Sequence, residues 1–139
     1  MTRLAGLDRL AGRLTAYAAV VLRIGVGWLF LRHGLGKLGM GVAGVAGFFG
    51  GLGIPLPHVF AIVVIIVETV GAACVLLGIL TRFWAALMVV DMIVAILVAV
   101  MPSGRAWELE GLLLACAVAL IGLGDGPLSV GRLVHKGER

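Results

Sequence analysis

The stretch LRIGVGWLFLRHGLGK, residues 22–37, is apolar enough for a membrane helix, yet it carries Arg23, Arg32, His33 and Lys37. The other ionisable residues inside apolar runs are Glu68, Asp91 and Glu110, all acidic and each on a different run. A charge at the centre of a bilayer costs at least about 2.5–3.5 kcal/mol on insertion scales. Such residues are kept there with partners, so the acids are expected to meet the basic helix. Arg23, Glu68 and Asp91 then have two readings. One is a buried ion set that fixes helix register. The other is a polar pocket that binds a head group or relays protons. His33 titrates near neutral pH and suits a proton donor at the mouth of such a pocket. The bland reading of Arg32, His33 and Lys37 is an outer salt-bridge cluster with Glu108 and Glu110, which fall at a similar depth. Lys37 also suits snorkelling to the interface. One histidine with two acids is a poor donor set for zinc or copper, so no metal is expected.

The elements that would hold these groups are helices. The 139 residues are 62% hydrophobic and 13% charged. Soluble domains carry about 25% charged residues. Lipid satisfies no backbone polar group, and barrel-type alternation is missing, so the expected class is all-α. The net charge of +4 does not point to nucleic acid, because the basic residues scatter over ends and loops without a recognition motif. It suits an anionic leaflet.

Residues 1–14 put Leu4, Leu7, Leu10 and Leu14 on one face and read as an interfacial helix. Four spans are predicted at about 15–38, 58–80, 83–101 and 107–123, in one domain covering 1–139. On the first, Arg23, Phe30 and Lys37 recur every seven residues, and Gly27 and Gly34 share their stripe. Small residues on a stripe admit a close neighbour, so the charged stripe is also the packing stripe. The glycine-rich segment Met40–Pro57 is predicted to be a short outer re-entrant or capping piece, stopped by Pro55 and Pro57. Four crossings put both termini on one side. Arg3, Arg9, Arg13, Arg82, Arg132, Lys136 and Arg139 would share it, against Lys37 and Arg105 opposite. The positive-inside rule makes that side cytoplasmic. At 1.5 Å per residue Arg23 and Asp91 both lie about 12 Å from the inner boundary and Glu68 about 18 Å. Depth therefore predicts that Arg23 reaches Asp91 first and Glu68 second.

The segments LRIGVGWLFLRHGLGKL, FFGGLGIPLP, ETVGAACVLLGILTR, Asp91-Met92, WELEGLLL and GLGDGPLSV resemble the DoxX family of small bacterial membrane proteins, over residues 22–130. The tail differs from the family's frequent GPG-aromatic-S-hydrophobic-D, reading GDGPLSVGR. The resemblance implies a four-helix bundle in the bacterial cytoplasmic membrane. It also implies a link to quinone oxidoreduction and to assemblies that handle oxidative stress. The expected function is then a subunit of a redox membrane complex, accessory or quinone-site-forming. The alternative is a non-enzymatic scaffold or small-molecule permease whose buried charges are structural. No haem, flavin or iron–sulfur ligand set is legible, so a bound quinone is the cofactor in view, and other membrane or redox proteins, or further copies, the partners. Cys74 and Cys116 fall at similar depths and read either as small core residues or as a redox pair.

Overall fold

The computed structural model describes residues 2–137, with side chains described for residues 6–134. Arg139, and the side chains of Arg3 and Lys136, on which the charge asymmetry partly rests, lie outside them. Every regular element among the described residues is helical.

Helix α1 (Thr2–Gly51) is interrupted once, at Gly41, where φ is 73° and ψ is 163°. Only glycine adopts that backbone without penalty. The segment expected to cap the outer side is thus a short helical rod, residues 42–51, folded against the start of the next helix. At its other end α1 runs through residue 14 without a break, and Leu7, Leu10 and Leu14 are exposed. Helix α2 (Pro57–Leu77) starts with proline at its first position, where a missing N–H costs nothing. It ends at Gly78, which is left-handed at φ 71°. Helix α3 (Thr81–Val100) follows directly, and the Pro102–Gly104 turn leads to α4 (Glu108–Leu123) and then α5 (Val130–Gly137). Two stretches, Val67–Gly71 in α2 and Ala95–Val100 in α3, widen to π-helical turns.

Helix α1 packs on α2, α2 on α3, α3 on α4, and α4 back on α1. The main core joins Val26 and Phe30 of α1, Val67, Ala72 and Val75 of α2, Ala85, Met88 and Met92 of α3, and Leu113, Ala117 and Leu120 of α4. Ala72, Ala85 and Ala117 are wholly buried, as expected where helices in lipid gain contact by close approach. A second core sets Val45, Ala46 and Phe49 of the rod on Ala61 and Ile65 of α2. Val21, Ile24, Trp28, Ile62, Val90, Leu97 and Leu112 face outward and are exposed. An apolar shell this continuous belongs in a bilayer. Helices α1, α2 and α3 are long and apolar enough to cross one. Helix α4 has 16 residues, about 24 Å, somewhat less than the ~30 Å of hydrocarbon.

Candidate functional site

The charged stripe of α1 splits between the two ends of the fold. At one end Arg23 is 2% exposed. Its Nε donates to Val75 O at 2.9 Å, Nη2 to Leu76 O at 2.8 Å, and Nη1 to Asp125 O at 2.6 Å. A longer bond from Nη2 reaches Leu128 O at 3.5 Å. Asp125 completes this hub by accepting the Thr81 N–H on Oδ1 at 2.9 Å, which caps α3. The expectation that Arg23 pairs with Asp91 or Glu68 is therefore corrected: its hydrogen bonds go to main-chain carbonyls. The last carbonyls of a helix have no intrahelical donor and carry the negative end of its dipole. The end of α2 lies nearer to Arg23 than Glu68, which stands seven residues from Val75, about 10 Å along the helix. A reckoning that counts only acidic side chains misses these acceptors.

At the other end Lys37 donates to Glu68 Oε2. The Glu68 side chain is 2% exposed and that of Lys37 25%, so the lysine is the reachable member. Gly34 makes the approach possible, because a Cβ there would lie 2.5 Å from the Glu68 carbonyl carbon and oxygen. Glu68 also sits in the π turn of α2. Such turns redirect side chains and recur at functional sites. Asp91, on α3, is half-buried. Asp91 Oδ2 is buried and has no hydrogen-bond partner among the described residues.

These three groups line a cavity of about 510 Å³. The cavity lies where α1 kinks, α2 begins and α3 ends, and its wall is otherwise mostly apolar. Phe48 and Phe49 of the rod and Phe60 of α2 form part of it. His33, Arg105 and Glu110 also line it, with Arg105 and Glu110 paired at 3.8 Å. So of the predicted site residues His33, Lys37, Glu68, Asp91 and Glu110 share one cavity, and Arg23 stands apart. The expected cluster of Arg32, His33 and Lys37 with Glu108 and Glu110 is corrected too. Lys37 pairs with Glu68, Glu110 pairs with Arg105, and Glu108 and Arg32 are exposed. Arg105 was legible only as a charge opposite the termini, and Phe48 and Phe49 only as part of the FFGGLGIPLP segment. Cys74 and Cys116 are free and half-buried, and Cys116 packs against the main core.

An apolar cavity with one polar floor can take a lipid-soluble molecule with a polar head. Lys37 can donate a hydrogen bond to an oxygen of such a head, and the Glu68 and Asp91 carboxylates can accept one from a hydroxyl.

A Bacillus subtilis (strain 168) protein named "Putative oxidoreductase CatD" is 32% identical over 123 residues, covering 86% of this chain and 89% of the relative. No solved structure matches. The DoxX family profile matches residues 10–101, from the start of the apolar region of α1 to the end of α3. That stretch contains Lys37, Glu68 and Asp91, and with the relative's near full-length match it makes this chain a member of the DoxX family.

Proposed function

We propose that this protein is a membrane-embedded subunit of a redox complex that binds a quinone head group on the Lys37–Glu68–Asp91 floor. The observation that carries the reading is the single cavity joining an aromatic, aliphatic wall to those three groups. Ligand sites pair a mostly apolar wall with a few placed polar groups, and the location of Glu68 in a π turn supports the same place. The relative's name supports an oxidoreductase association. Electrons reach the ligand from a partner protein, which makes the role accessory.

In this reading α4 is the fourth crossing, with Trp107 at the outer interface and both termini cytoplasmic. The cavity then lies in the outer half of a bacterial cytoplasmic membrane, under the rod of residues 42–51.

Native mass spectrometry of the protein extracted in mild detergent, followed by quinone titration in lipid nanodiscs, tests the proposal. The expected result is a bound quinone or a redox partner in the extract, and saturable binding weakened at least tenfold by Lys37→Met. Folded protein that binds no quinone and travels as a partner-free oligomer refutes it and favours a scaffold.

A further inference from the structure

Helices α2 and α3 diverge inside the fold. Helix α2 meets α3 through its π turn and the turns beyond it, Val67–Leu77, whereas its first part, Pro57–Ile66, packs on α1 and not comparably on α3. Helix axes commonly bend at π turns, and this one marks the parting. From Glu68 back to Pro57 the gap runs about 16 Å at 1.5 Å per residue. The cavity fills the space so opened. Phe60 and Val63 of α2, and Val90 and Val94 of α3, line it and are also exposed. A side chain that does both stands on the rim. These four are apolar and continue the outward shell of Ile62 and Leu97, the surface that lipid covers. Deeper in, Val67, Met92 and Leu113 line the same space and are at most 6% exposed. A hydrocarbon chain running from rim to wall stays in apolar surroundings throughout, which water does not offer. A second edge is polar, where His33 stands exposed and Arg105 is drawn toward Glu110.

We propose that the gap between the first part of α2 and α3 is a side door from the bilayer, used by a membrane-dissolved molecule with a small oxygen-bearing head and a long hydrocarbon chain. The head enters past Val63 and Val94, takes a hydrogen bond from Lys37, and leaves its chain lying in the gap. Val63 stands five residues from Glu68 and Val94 three from Asp91, about 7.5 and 4.5 Å along their helices, so a head that passes the rim is already beside the floor. The cavity of about 510 Å³ is the size of a compact ligand site. It holds a head and the start of a chain, and the rest of the chain leaves through the rim. The door rests on the reading of the cavity as a head-group site, and it adds that the chain selects the ligand and that entry is from lipid, not across the polar edge.

Photolabelling of the full-length protein in nanodiscs tests the door. The probe is a long-chain alcohol with a diazirine in its chain, and adducts are mapped by peptide mass spectrometry. Ile62 and Leu112, on the outward shell, give the level of ordinary lipid contact. Adducts on Val67, Met92 or Leu113 are expected as well, because only a chain inside the gap reaches them. Val63→Trp with Val94→Trp fills the rim and should abolish these inner adducts while the shell adducts stay. Val21→Trp, on the shell and away from the cavity, should change neither. Monodisperse elution and helical circular dichroism check the fold of each variant, and the wild-type labelling needs no variant. A wild type without inner adducts overturns the proposal, as does their survival in the folded Val63→Trp, Val94→Trp protein. A benzoquinone with a long alkyl chain should compete the inner adducts away, and the same ring with only a methyl group should compete less. Equal competition by the two overturns selection by the chain. Inner adducts that depend on the rim but yield to neither quinone uphold the door while removing the quinone reading.

Discussion

Arg23 is the group whose removal has the most calculable effect. Its three short hydrogen bonds, at 2.6, 2.8 and 2.9 Å, tie the end of α2 and the loop after α4 to α1. Bonds to a charged group contribute about 1.5–3 kcal/mol each. Against them stands the cost of holding one cation out of water, several kcal/mol. Arg23→Ala also takes its donor from the Leu76 and Asp125 carbonyls, while Val75 O keeps the Gly78 N–H, so the net expected loss is about 3–5 kcal/mol. Arg23→Lys keeps the charge but not the planar fork, and should cost about 1–3 kcal/mol. Gly78→Ala strikes the same hub. Its Cβ would lie 2.7 Å from Arg23 Cζ, at a residue with φ +71°, and the left-handed backbone alone costs about 1–2 kcal/mol. Reversible unfolding in mild detergent, followed by helical circular dichroism, measures each change. Arg23→Ala with Gly78→Ala should cost less than the sum, because the contact with the guanidinium disappears, although that with Ser129 Cβ at 2.5 Å stays. Arg23→Ala with Asp91→Asn should add to within about 0.3–0.5 kcal/mol, because the two sites are separate. An Arg23→Ala protein within about 0.5 kcal/mol of wild type, the size of an ordinary surface change, would refute the hub. So would strong coupling between Arg23 and Asp91.

Topology is read by reporters: a fusion after Arg139 should be cytoplasmic and an insertion at Gly104 external, and finding both on one side would remove the fourth crossing. Gly34→Val should destabilise by about 1–3 kcal/mol through overpacking on Glu68, measured by the same unfolding assay; an unchanged midpoint would mean that α1 and α2 are not held that close. His33 is exposed, so His33→Gln should leave folded yield unchanged within error. If His33 serves the ligand, quinone affinity or its dependence on neutral pH should change, and an unaltered binding curve across that range would discharge it from the site.

The helical class and the first three spans were legible because lipid leaves the backbone few choices and writes them as long apolar runs. The packing stripe was legible too: Arg23, Phe30, Gly34 and Lys37 all face the interior, as a seven-residue repeat on a helix requires. Most of the candidate site followed from a simple cost argument, since His33, Lys37, Glu68, Asp91 and Glu110 were singled out as charges or polar groups out of place. The partner of Arg23 did not follow. Depth along a helix is one coordinate, and carbonyls freed at a helix end carry no mark in the sequence.

The residue types by themselves determined that this chain lives in lipid, is helical, and must neutralise a few buried charges. They did so because apolar length and the cost of bare charge are properties of local sequence. Which charge meets which was decided only by the tertiary structure. The π turn that carries Glu68, the break at Gly41 that folds Phe48 and Phe49 over the cavity, and the capped turn that captures Arg23 are all products of packing. Each depends on how one helix is rotated and shifted against its neighbours. A hydrophobic pattern states that a face is buried and leaves the register of the contact open, so the pairings came from the fold.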